Sequence, residues 1–82
     1  MRNAVTPLDA YASAVDAEAS ALVRRDAAER ALLDCRREVF YGRATPADLT
    51  WCQAERMRAV YAHRRTQHVV LSTRRLYERS PA

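Results

Sequence analysis

The chain has 82 residues and a net charge of +4 carried entirely by arginine, because lysine is absent. That length allows one small domain, whose surface-to-volume ratio leaves burial marginal unless a partner adds surface. A single glycine excludes glycine-rich phosphate loops and nucleophile elbows, and no metal-ligating motif is present. The 49% apolar content overstates the core, since much of it is alanine and there is no isoleucine. Lysine-free, alanine-rich usage follows a GC-rich genome and does not by itself indicate nucleic-acid binding.

Residues 1–41 hold six Arg against seven Asp or Glu, and residues 42–82 hold eight against three. The basic second half reads as a solvated face or as a surface for an acidic partner. Asp9, Asp16 and Glu18 interrupt the alanine-rich start, so no stretch reads as a signal peptide or membrane span. A cytoplasmic location with reduced cysteines is the expectation.

In chain order, Met1 to Val5 is a short lead. Thr6-Pro7-Leu8-Asp9 is a helix start: a threonine cap, proline at the first helical position and a carboxylate in the first turn. From Pro7 to Tyr41 no glycine or proline intervenes, which predicts one helix of about 35 residues, ~50 Å long. Gly42 closes it, because glycine takes the left-handed conformation at low steric cost. Residues 42–45 form a turn, and Thr45-Pro46-Ala47-Asp48 repeats the start signal. The second helix runs from Pro46 to about Glu78 and ends at Ser80-Pro81-Ala82. Val69 to Thr73 is the only segment with β character, too short to override its context. Matched lengths and a short connection predict an all-α, antiparallel two-helix hairpin.

In such a hairpin, residues whose numbers add to about 87 lie side by side. One stripe of the first helix is Ala10, Ala14, Ala17, Ala21, Ala28, Leu32, Cys35 and Val39; its counterpart is Leu49, Cys52, Ala59, Val60, His63, Val70 and Tyr77. A second stripe holds Leu8, Tyr11, Val15, Leu22, Leu33 and Phe40, interrupted by Asp26 and Glu29. Its counterpart on the second helix is Trp51, Ala62, Val69 and Leu76. Which stripe of the first helix faces inward stays open, since bulk favours one and the pairing of Cys35 with Cys52 the other. One seam cannot cover four stripes, so partner contact is expected through Leu8, Tyr11, Val15, Leu22, Trp51, Ala62, Val69 and Leu76.

The chemistry is sparse. Cys35 opposite Cys52 permits a redox-sensitive bridge, but two ligands do not make a structural zinc site, and two buried apolar packers are the simpler reading. His63 and His68 are five residues apart and do not share a helix face. Asp26, Glu29 and Asp34 among Arg24, Arg25, Arg30, Arg36 and Arg37 read as solvated ion pairs rather than a catalytic set, and Glu29 is expected to pair with Arg58. No catalytic residue, metal or cofactor is indicated. Arg56, Arg58, Arg64, Arg65, Arg74 and Arg75 point in several directions, which argues against one nucleic-acid surface.

Leu32-Leu33-Asp34-Cys35-Arg36-Arg37-Glu38, Gly42-Arg43-Ala44-Thr45-Pro46 and Ala54-Glu55-Arg56-Met57-Arg58-Ala59 together resemble the small hairpin co-chaperones of type III secretion, the YscE type, over about residues 30–60. In that family a charged helix ends at a mid-chain glycine and a second helix of similar length returns. The resemblance implies a cytoplasmic protein that binds a helical-repeat chaperone, the pair keeping the needle subunit from polymerising before export. Two other readings are a self-associating coiled coil, for instance a homodimer forming a four-helix bundle, and a basic nucleic-acid module.

Overall fold

The computed structural model describes residues 5–80, so the lead over Met1–Ala4 and the closing Pro81-Ala82 lie outside the described residues. Two helices of 34 residues each, α1 (Pro7–Phe40) and α2 (Pro46–Arg79), pack along their lengths as an all-α hairpin. The molecule measures 60 × 26 × 14 Å with a radius of gyration of 18.3 Å. A compact chain of this length would have a radius near 12 Å, so the hairpin is a rod.

Local chemistry sets the helix ends. The Asp9 amide donates to Thr6 Oγ1 at 3.0 Å and the Thr6 amide to Asp9 Oδ2 at 3.4 Å. Thr45 and Asp48 repeat this reciprocal box at 3.2 and 2.8 Å. Each box satisfies two backbone donors that a helix start otherwise leaves free.

At the turn, Gly42 has φ +73°. The Gly42 amide donates to the Val39 carbonyl (3.0 Å) and the Arg43 amide to the Glu38 carbonyl (2.8 Å), the paired bonds of a Schellman motif. Arg43 then reaches back to the Glu38 carboxylate with Nε at 2.6 Å and Nη2 at 3.0 Å, fastening the same residue twice. The segment Val69 to Thr73 is helical. Its hydroxyls bond to helix carbonyls one turn back, Ser72 to His68 (2.9 Å) and Thr73 to Val69 (2.7 Å), so they do not compete with the helix.

The seam is thin. Only Ala14, Leu32, Cys35, Ala59, Val60 and His63 are buried among the described residues. Tyr11 beside Tyr77 at the open end, Arg25 beside His63 in the middle and Cys35 beside Cys52 near the turn fix its register. The inward face of α1 is therefore Ala14, Glu18, Ala21, Arg25, Ala28, Leu32, Cys35 and Val39, all buried or half-buried. That of α2 is Leu49, Cys52, Arg56, Ala59, His63, Thr66, Val70 and Thr73. Spacings alternate strictly between three and four, the seven-residue period of a left-handed coiled coil.

Two kinds of rung alternate along this seam. Small rungs set Ala14, Ala21, Ala28 and Cys35 level with Thr73, Thr66, Ala59 and Cys52. Large rungs set Tyr11, Glu18, Arg25, Leu32 and Val39 level with Tyr77, Val70, His63, Arg56 and Leu49. The alanine-rich stripe thus faces inward, with one correction: Ala17 is exposed and Glu18 takes its place. Ala17 lies 60° outside Ala14, whereas Glu18, four residues on, comes back within about 40° of it.

Candidate protein-binding flanks

The handedness of a helix decides where the exposed apolar residues sit. Leu8, Val15 and Leu22 are seven apart. Val15 and Leu22 each stand four residues after a large-rung residue, Tyr11 and Glu18, which places them about 40° outside that rung. Leu33 and Phe40 continue the same side of α1. On α2, Ala62, Val69 and Leu76 stand three residues after the small-rung residues Ala59, Thr66 and Thr73, about 60° outside those rungs on the other side. Trp51 is displaced further around the same side.

In an antiparallel pair the large-rung sides of both helices coincide. The two apolar stripes therefore face opposite flanks of the hairpin. Surface grooves agree: Leu76 lines one with Pro7, Ala10 and Thr73, and Leu33 lines another with Glu29, Leu32, Arg36 and Arg56.

Each expected contact residue has a definite position. Leu8, Val15 and Leu22 are exposed on the large-rung flank. Tyr11 is half-buried at the seam, its ring centroid 5.8 Å from that of Tyr77. Trp51 is 63% exposed on the small-rung flank with Val69 and Leu76, and Ala62 between them is half-buried. The apolar pattern did not single out Met57 and Leu71, which are exposed on the large-rung flank of α2. Their signal was available as the α2 counterpart of Leu33 and Phe40, each one residue after the seam positions Arg56 and Val70.

No known family, curated protein or solved structure matches the chain.

A polar file crosses the middle of the seam. Arg25 Nη1 donates to His63 Nδ1 at 3.3 Å, so the neutral imidazole carries its proton on Nε2. That nitrogen points toward Glu18 Oε1 at 3.8 Å, beyond hydrogen-bond reach, and has no partner although the ring is only 5% exposed. Glu29 is approached by both Arg25 Nε (3.7 Å) and Arg56 Nε (3.8 Å). The expected Glu29–Arg58 pair does not form, because Arg58 turns back along α2 to Glu55, one helical turn away.

Near the turn the charges are held locally. Hydrogen bonds from Arg43 keep the Glu38 carboxyl below its ordinary range, and the Thr45 amide does the same for Asp48. Burial, then the hydrogen bond with Cys52, pushes the Cys35 thiol up, so at neutral pH it is a packing group rather than a nucleophile. Both cysteines are free thiols. Cys35 with Cys52 and His63 with His68 gather no third ligand: no group of three His, Cys, Asp or Glu side chains suited to a metal occurs among the described residues.

The arginines are dispersed. Arg56 pairs with Glu29, Arg58 with Glu55 and Arg74 with Glu78, while Arg64 lies over the Tyr61 ring at 5.8 Å. Among the described residues no helix is long and apolar enough to cross a membrane.

The hairpin leaves 6628 Å² accessible. A compact protein of 9.4 kDa would leave about 5,000 Å². The difference, about 1,600 Å², is about twice the roughly 800 Å² that each partner contributes to a standard protein interface.

Proposed function

We propose that this chain is a protein-binding helical hairpin, acting in the cytoplasm as a co-chaperone of the type III secretion kind rather than as an enzyme. The observation that carries the reading is the row of Trp51, Val69 and Leu76 on the small-rung flank, held in water by a rod whose seam has no room for them. An exposed tryptophan flanked by aliphatic residues, with Arg58 and Arg65 at its rim, has the make-up of an interface centre. A helical-repeat chaperone suits this surface, because an incomplete repeat array also ends in an apolar stripe and joining the two removes both from water.

The test is co-expression with a helical-repeat chaperone and a needle subunit encoded beside this gene. The three chains are expected to co-purify with the needle subunit unpolymerised. Changing Trp51, Val69 and Leu76 together to alanine should abolish co-purification while far-UV helicity survives. Undiminished co-purification of that variant would refute the assignment of the flank, and a needle subunit that stays monomeric without this chain would refute the co-chaperone role.

A further inference from the structure

We propose that the opposite, large-rung flank binds a second copy of this chain, with a two-fold axis parallel to the long axis of the hairpin. Each α2 then lies antiparallel on the α1 of the other copy, giving a four-helix bundle with both turns at one end. This inference does not depend on the co-chaperone reading, which uses the other flank.

Leu8, Val15, Leu22, Leu33 and Phe40 of α1 share this flank with Met57 and Leu71 of α2, and all are exposed, Phe40 to 83%. The broad face of the rod, 60 × 26 Å, exceeds the roughly 800 Å² per partner that a standard interface uses. Positions one and four residues after each large-rung residue straddle the direction perpendicular to the first seam. They supply a second seam of the same seven-residue period.

Charge selects both the occupant and the axis. α1 carries five Arg against seven carboxylates, and α2 carries seven Arg against three. An axis parallel to the helices places α2 on the α1 of the other copy, joining opposite net charges. An axis across the helices would stack like on like.

The parallel axis also leaves every residue at its own height, so the register is already determined by the hairpin. Leu71 falls beside Val15 and Ala19 of the other copy, Met57 near Leu33, and Arg64 between Leu22 and Asp26. No like charges meet at one height on this flank. The same operation on the Trp51 flank would set Glu55 against Asp34, Asp48 against Glu38 and Arg65 against Arg24, so that flank rejects a second copy on the same axis.

Sedimentation equilibrium of the full chain over a dilution series tests this. The expected species has twice the 9.4 kDa chain mass. Asp26→Arg should weaken the dimer about tenfold or more by opposing two arginines at two symmetry-related contacts, and Asp26→Arg with Arg64→Asp should restore it. Trp51→Ala should leave the dimer intact. Far-UV circular dichroism checks that each variant stays helical, and among the described residues Asp26 makes no ion pair that its loss would break. A monomer throughout the series, a dimer indifferent to Asp26→Arg, or one broken by Trp51→Ala would overturn the proposal.

Discussion

Replacing Gly42 by alanine isolates the cost of one backbone conformation. The residue sits at φ +73°, and a Cβ added there meets nothing within 4 Å, so no steric term from neighbours enters. What remains is the penalty for an L-residue in the left-handed region, about 1–2 kcal/mol. It is offset by about 0.4–1 kcal/mol because alanine has less freedom to lose from the unfolded chain. The net destabilisation is about 1 kcal/mol, which lowers the thermal midpoint of a domain this size by roughly 4–8 °C. D-alanine carries the same unfolded-state advantage and prefers positive φ, so it should stabilise the hairpin. Chemical synthesis gives both variants, and circular dichroism at one fixed protein concentration reads the order D-Ala, Gly, L-Ala. An L-alanine variant as stable as the parent, or a D-alanine variant below it, would refute the reasoning.

Three further outcomes follow from the geometry. Thr45→Ala removes the acceptor for the Asp48 amide and should cost about 1 kcal/mol in urea unfolding, with Thr45→Ser recovering most of it. Glu38 and Asp48 have folded values held below their ordinary 4.5 and 3.8, so the stability they contribute is present above those values. That stability should fall away as pH drops through the lower folded values, and Glu38→Gln should flatten part of the acid slope in a pH series of unfolding curves. His63→Leu replaces a buried ring with an unpartnered nitrogen by an apolar side chain. It should leave stability unchanged or raised by about 1 kcal/mol, whereas His63→Ala should lower it by opening a cavity, both measured by urea denaturation.

Helix limits were legible because their causes are local. Two Thr-Pro-x-Asp starts and a glycine act through the nearest amides and carbonyls. α1 ends at Phe40 and α2 at Arg79, each one residue from the sequence expectation, where terminal turns fray. The register followed from the short turn, and Tyr11–Tyr77, Arg25–His63 and Cys35–Cys52 all obey it. Seam composition was less legible. A search for apolar stripes passes over Glu18, Arg25 and Arg56, yet all three occupy large rungs, as does His63, which the stripe of the second helix did include. They fit because the small rungs between them bring the backbones together, and because each charge finds an opposite charge or a water-exposed edge at the rim of a thin rod.

The choice between the two faces of α1 was a tertiary decision. The bulky line through Leu8, Val15 and Leu22 runs into Asp26 and Glu29 before it reaches the turn, whereas the inward line, though it takes in Glu18 and Arg25, sets a small side chain at every second rung, Ala14, Ala21, Ala28 and Cys35. Close packing along the whole length outweighs bulk at one end, so the larger side chains are left outside.

By itself, the amino-acid sequence determined two equal helices, the turn between them and their register, because each rests on bonds spanning a few residues. Only the tertiary structure decided that the two bulky stripes occupy opposite flanks. That outcome depends on the handedness of both helices and the reversal of chain direction acting together, and no single-helix pattern contains it.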